Sequence, residues 1–188
     1  MTWIAANLWE LLQPKRPART SRQDRFAPPA AEPPPPVATR RTPMRERYDQ
    51  LVTDMKAQYG LRVRKWRTNS SGCAWEVHYK DGTITRLIES PYPRGPMSCA
   101  IFLHEVGHHA IGFGTYRLRC LEEYHAWRWS LETMRELNFN VTTSVENRMH
   151  DSLYYAVVKA HRRGLKRLPE ELVPFVRPRD RHANASNS

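Results

Sequence analysis

The sequence predicts an α+β domain: an N-terminal helix, a small antiparallel sheet of two or three strands, and then a mainly helical half. Three observations support this class. Helical spacing of apolar residues occurs before and after a pair of short alternating segments, a turn dipeptide joins those segments, and a proline-rich break precedes the later helices. A chain of 188 residues favours one core over two.

The first helix of the domain is predicted to begin at Thr42-Pro43, because threonine caps helix N-termini and proline suits the first turn. Apolar residues recur at helical spacing up to Tyr59, and Gly60 is a typical stop. We therefore place a compact domain at residues 43–168. The remaining residues, 169–188, are basic and polar, which predicts a flexible tail.

Two short extended segments follow the first helix. Ala74–Lys80 and Thr83–Glu89 have the pattern of β-strands and flank Asp81-Gly82, a dipeptide typical of a hairpin turn. A preceding strand over Leu61–Arg67 would make a third. Peptide-binding proteins often add an extended ligand to a sheet edge, so the hairpin strand beside a cleft is a candidate docking edge.

Three helices are predicted after the proline- and glycine-rich break at residues 91–96. They cover about 97–111, 121–137 and 144–161, and the last begins with a capping box at Thr143–Glu146. No apolar run in the sequence approaches the ~18 residues that a transmembrane helix needs. An integral membrane protein is therefore excluded.

The net charge of +11 is unevenly distributed. Residues 1–47 contribute +5 and nine of the 15 prolines, whereas residues 97–163 contribute only +1. Met1–Leu12 has the spacing of a short amphipathic helix, and the rest of the segment up to residue 42 has the composition of a disordered basic arm. We expect at most weak, non-specific contact of this arm, residues 1–42, with nucleic acid or a membrane surface.

Cysteine usage and the N-terminus favour a cytoplasmic protein. Cys73, Cys99 and Cys120 are an odd number without C-x-x-C spacing, which argues against a disulfide framework and a cysteine-rich zinc knuckle. The predicted helix Met1–Leu12 has no positive charge before it and no small-residue cleavage site after it, so it lacks two features of a secretory signal. Peripheral membrane association through the arm is compatible with this location.

His104-Glu105-Val106-Gly107-His108 is an H-E-x-x-H motif on a predicted helix. Residues i and i+4 differ by about 40° around a helix, so both imidazoles point the same way and can hold one tetrahedral Zn²⁺. Glu105 projects beside them, where it would take a proton from the zinc-bound water and pass it to the leaving amine. The motif predicts a Zn²⁺ site in which His104 and His108 are ligands and Glu105 is the catalytic base.

A catalytic zinc ion needs a third protein ligand and an open fourth position. The metzincin continuation requires a histidine where this chain has Gly114, so that subclass is excluded. The next predicted helix offers Glu122, Glu123 and His125. Glu123 shares the small and apolar helix face that must look into the domain, so we prefer it to Glu122 and place His125 third.

These two segments resemble a known family. Leu103–His109, with its H-E-x-x-H motif, and Glu123–Ser130 are similar to the gluzincin-type zinc metallopeptidases of the ImmA/IrrE kind, which pair H-E-x-x-H with a later E-x-x-A-x-x-F-A helix. The resemblance implies a compact intracellular domain whose substrates are regulatory proteins. It implies Glu105 as general base and, as metal ligands, His104, His108 and Glu123.

We therefore expect a zinc-dependent metallopeptidase that hydrolyses peptide bonds of an intracellular protein, with Glu105 activating the zinc-bound water. The alternative is a non-catalytic metal-binding regulatory or interaction protein whose basic arm binds nucleic acid or membrane. The sequence leaves the roles of two further histidines undecided. His109 either faces solvent or supports the site, and His150, near Tyr154, is either an oxyanion-stabilising group or, preferably, a structural histidine.

Overall fold

The computed structural model describes residues 43–179. The predicted helix and basic arm of residues 1–42 lie outside the described residues, as do residues 180–188. The described part confirms the α+β class, with a helix, a small sheet and then mainly helices. The elements in chain order are α1 (Pro43–Tyr59), β1 (Leu61–Arg67), β2 (Cys73–His78), β3 (Ile84–Pro91), α2 (Pro96–Ile111), α3 (Arg119–Glu136), α4 (Thr143–Arg162) and a 3₁₀ helix (Glu170–Phe175).

The sheet has the strand order β1-β3-β2 and is mixed. The predicted antiparallel arrangement is correct for the β2–β3 hairpin but wrong for β1, which runs parallel to β3. Residues 68–72 connect β1 to β2 across the end of β3, a gap of two strand spacings, or about 10 Å. A tight turn could not span that gap, so this link of five residues allows β3 to lie between the two strands that it connects.

Helix α2 forms the centre of the molecule. Its residues from Cys99 to His109 are all buried, and it packs against β3 on one side and α3 on another. Apolar side chains all around a helix are typical of a core element. Gly107 allows a close crossing with α3, because a β-carbon there would lie 2.8 Å from the Ala126 carbonyl oxygen. The two helices that carry the predicted metal ligands are therefore held in direct backbone proximity.

The compact part of the chain extends beyond the boundary predicted at residue 168. Leu172, on the 3₁₀ helix, is fully buried in a small cluster with Cys120 and Val157. The polar composition of residues 169–188 predicts a tail throughout, but one well-placed apolar side chain is enough to fix this turn against α3 and α4. Within residues 43–179, no helix is both long and apolar enough to cross a membrane.

Candidate metal centre

The two histidines of the H-E-x-x-H motif meet Glu123 where α2 and α3 pack together. The Nε2 atom of His104 lies 3.3 Å from Oε2 of Glu123, and the Nε2 atom of His108 lies 3.6 Å from the same oxygen. One ligand atom from each of the three residues lies within 4.8 Å of the others. Residues from two helices therefore place three metal-type donors around one point.

This donor set fits Zn²⁺. Bonds of about 2.0–2.2 Å to nitrogen and oxygen imply separations of about 3.3–3.6 Å between the corners of a tetrahedral site. The two distances to the Glu123 oxygen fall in that range, whereas the 4.8 Å limit on the whole group of donor atoms exceeds it. Two imidazoles and one carboxylate, moreover, form one of the usual protein ligand sets of catalytic zinc. Among residues 43–179, no other His, Cys, Asp and Glu side chains form such a three-donor group.

The other two candidate ligands lie elsewhere. Oε1 of Glu122 is 3.3 Å from Nδ1 of His108, the ring nitrogen that does not face Glu123. Glu122 therefore places a carboxylate behind the imidazole, the position that outer carboxylates take in many zinc sites. The ring of His125 stacks on Tyr116, with ring centroids 4.0 Å apart. Of the three candidates, Glu123 alone faces Nε2 of both motif histidines.

Arg119 is a supporting residue that the sequence analysis did not identify. Its guanidinium group lies 3.1 Å from Oε1 of Glu123 and also contacts Oε1 of Glu122. These contacts hold one oxygen of Glu123 on the arginine and leave the other, Oε2, facing the histidines. The spacing of three and four residues along α3 is a recognisable signal for such pairs, because residues that far apart lie on one helix face.

Burial and the neighbouring charges shift the pKa values of all three donor residues. Burial alone would lower the pKa of His108, but the carboxylates of Glu122 and Glu123 raise it to about 9. Burial alone would raise the pKa of Glu123, but the imidazoles of His104 and His108 hold it well below its usual range. Burial lowers the pKa of His104 to about 4, which favours the neutral form that binds metals.

Glu105 lies beside the cluster and is 5% exposed. Burial raises the pKa of its carboxyl group to about 7. The cover over this side chain includes Gly72, in the link between β1 and β2, where any β-carbon would overlap the Glu105 carboxylate. The backbone of the link can therefore lie directly on the predicted base only because residue 72 has no side chain.

Aromatic packing and the sheet fix the orientation of α2. The His104 ring stacks on Trp127, with ring centroids 4.4 Å apart. His109 is buried, and its Nε2 atom lies 3.2 Å from the Leu87 carbonyl oxygen of β3. His109 therefore supports the site by fastening the motif helix to the sheet. His150 packs against Phe175, which agrees with a structural histidine.

A cleft of about 690 Å³ opens beside the three donors. Its walls come from the start of β2, from the loop before α3 and from one face of α4. The hairpin strand that borders the cleft is β2, which is also an edge strand of the sheet. Tyr155 of α4 lines the cleft, whereas His150 and Tyr154 do not.

Comparison of the chain with protein-family models, with curated proteins and with solved structures gives no match. The chemistry of the site follows from its own residues. The site consists of two imidazoles and a carboxylate that converge on one point and a buried carboxylic acid next to them. The cleft beside these groups is large enough for part of a polypeptide.

Proposed function

We propose that this protein is a zinc-dependent metallopeptidase of the ImmA/IrrE kind that acts in the cytoplasm on a protein substrate, such as a regulator. The observation that carries the proposal is the convergence of His104, His108 and Glu123, with Glu105 beside them at the wall of the cleft. Three protein donors leave a fourth position for water or substrate, which is the arrangement of catalytic and not of structural zinc.

Each residue of the site has a defined task in peptide hydrolysis. Zn²⁺ held by the three donors would polarise the scissile carbonyl group and increase the acidity of water. Glu105 accepts the proton of the attacking water and delivers it to the leaving nitrogen. Arg119 and Glu122 keep the ligands in place, since one holds the Glu123 carboxylate and the other lies behind the His108 ring.

The sheet edge supports a polypeptide as substrate. Cys73 and Ala74, at the start of β2, line the cleft, and β2 pairs with β3 on one side only. An extended peptide can add to the free side of such a strand through main-chain hydrogen bonds. That arrangement would present a peptide carbonyl group to the metal without requiring a particular side chain.

The test is metal content together with hydrolysis. The purified full-length chain should bind one equivalent of Zn²⁺ per molecule, cleave a reduced and unfolded test protein, lose this activity with a chelator and regain it with Zn²⁺. A His104→Ala/His108→Ala variant should lose both metal and activity. As a control, His78→Ala/His161→Ala removes two exposed histidines away from the site and should retain both. Stoichiometric zinc in the first variant would overturn the proposal.

Glu122→Gln should weaken zinc binding by roughly 10- to 100-fold, because the variant removes the negative charge behind His108 while the three ligands remain. Competition with a coloured zinc chelator would measure the change. Glu136→Gln, at an exposed position on the same helix, is the matched control and should bind zinc like the parent chain. Equal zinc affinities for the Glu122→Gln and Glu136→Gln variants would show that Glu122 does not position the imidazole.

A further inference from the structure

We infer that the cleft binds its substrate as an extended peptide that carries acidic side chains, and that Lys159 and Arg163 of the α4 wall select it. This inference rests on the proposed function, since it names the substrate class of the same site. Three observations support it: the charges of the side chains that line the cleft, the absence of carboxylate partners for some of these side chains among residues 43–179, and the spacing of the cations along α4.

Positive charge predominates on the walls of the cleft. Two carboxylates line it, those of Glu105 and Glu123, and both belong to the metal centre. The cationic lining residues are Arg117, Arg119, Arg148, Lys159 and Arg163. The excess is local, because residues 97–163 as a whole carry a net charge of only +1. Five cations of a nearly neutral segment therefore lie around one cavity.

Two of these five cations are committed to the protein itself. Arg119 contacts Glu122 and Glu123, and Arg148 donates a hydrogen bond of 3.0 Å to the Ser70 carbonyl oxygen. The other three have no carboxylate partner among residues 43–179, and they are Arg117, Lys159 and Arg163. The Lys159 ammonium nitrogen lies 5.9 Å from the centroid of the Tyr155 ring. The charges of these three side chains are thus available to a ligand.

The α4 wall is long enough to contact about seven residues of an extended peptide. The polar residues that α4 and its C-cap turn to the cleft recur every three or four positions and are Arg148, Ser152, Tyr155, Lys159 and Arg163. Fifteen positions separate the first from the last, which corresponds to about 22 Å along a helix. An extended peptide advances about 3.3 Å per residue, so about seven residues fit along this wall.

A peptide explains these features better than a nucleic acid does. The start of β2, Cys73 and Ala74, lines the same cleft, and the main-chain donors and acceptors of an edge strand complement an extended polypeptide. Single-stranded nucleic acids are usually held by stacking of successive bases on several aromatic rings. The Trp and Tyr residues that line the cleft are Tyr155, which lies next to Lys159, and Trp127, whose ring stacks on His104.

The test measures binding without hydrolysis. The full-length Glu105→Gln protein is titrated with two fluorescein-labelled peptides of about seven residues, one of alternating Glu and Ala and one of alternating Gln and Ala, and anisotropy is recorded. We expect the Glu peptide to bind about tenfold more tightly than the Gln peptide. Adding Lys159→Gln/Arg163→Gln should weaken binding of the Glu peptide roughly three- to tenfold and leave that of the Gln peptide unchanged.

The matched control is Arg162→Gln/Lys166→Gln, which removes the same charges at the same end of α4 from residues that do not line the cleft. It should leave the affinities for both peptides unchanged, and it also accounts for binding to basic residues elsewhere in the chain. Equal affinity for the two peptides, no binding of either, or an equal loss in the control would overturn the inference. Tighter binding of an oligothymidylate of matched charge, weakened by the same pair, would overturn it in favour of nucleic acid.

The outcomes separate this inference from the proposed function. Peptide selectivity without zinc-dependent cleavage by the parent chain would overturn only the proposed hydrolysis. Cleavage by the parent chain without selectivity for the Glu peptide would overturn only the substrate class. The two experiments use different variants and different readouts, so neither result depends on the other.

Discussion

Glu105→Gln should retain zinc and lose about 10²- to 10⁴-fold of the hydrolytic rate, the range typical of a lost general acid–base group. Glutamine has nearly the same shape as glutamate but cannot accept the proton of the attacking water. Glu105 forms no ion pair with another described residue, so its replacement leaves no partner charge unpaired in the interior. Zinc content and initial rates on the unfolded test protein would be measured on the same preparation.

A second readout guards against a trivial loss by unfolding. Burial raises the pKa of Glu105 to about 7, which shows that its charged form is disfavoured where it lies. The neutral amide that Glu105→Gln introduces should therefore leave the melting temperature unchanged or raise it. Glu136→Gln serves as control and should keep the parent rate. Full hydrolytic activity in Glu105→Gln would contradict the assignment of Glu105 as the catalytic base.

The convergence of the predicted metal ligands follows largely from local helix geometry. His104 and His108 are one helical turn apart, so their common direction follows from the helix alone. Glu123 required one further step, from the apolar face of α3 to the interior, and the structure places its carboxylate against both imidazoles. Periodicity within a helix thus predicted the common direction of the two histidines and favoured Glu123 over Glu122 and His125.

Features that depend on contacts between distant segments were either not predicted or predicted wrongly. The parallel pairing of β1 with β3 and the burial of Leu172 both depend on where the chain returns in space, and neither has a local signal. The same applies to the cationic cleft, because its α4 wall faces residues of the loop before α3. Arg119 is an intermediate case, since its spacing to Glu122 and Glu123 was visible but its role depends on how Glu123 meets the two histidines.

Gly72→Ala should reduce hydrolysis about a hundredfold, because it presses on the predicted base from a distant point in the sequence. A methyl group at residue 72 would overlap the Glu105 carboxylate, so one of the two must move. Misplacement of a reacting group by about 1 Å is enough to cost about 10²-fold in rate. The overlap should also lower the free energy of unfolding by about 1–3 kcal/mol, which chemical denaturation would measure.

A double-mutant cycle tests whether the overlap with Glu105 is the cause. Glu105→Ala removes the clashing atoms, so the stability lost through Gly72→Ala should be largely recovered in the double variant, whereas activity should not return. Gly95→Ala is the control, since an added methyl group there meets no atom within 4 Å and its effect should simply add to that of Glu105→Ala. Additive stability effects for residues 72 and 105 would contradict the contact. Recovery of stability without recovery of rate would show that residue 72 must be glycine because the Glu105 carboxylate lies against it. The rate cannot return in the double variant, because Glu105→Ala relieves the overlap but also removes the base.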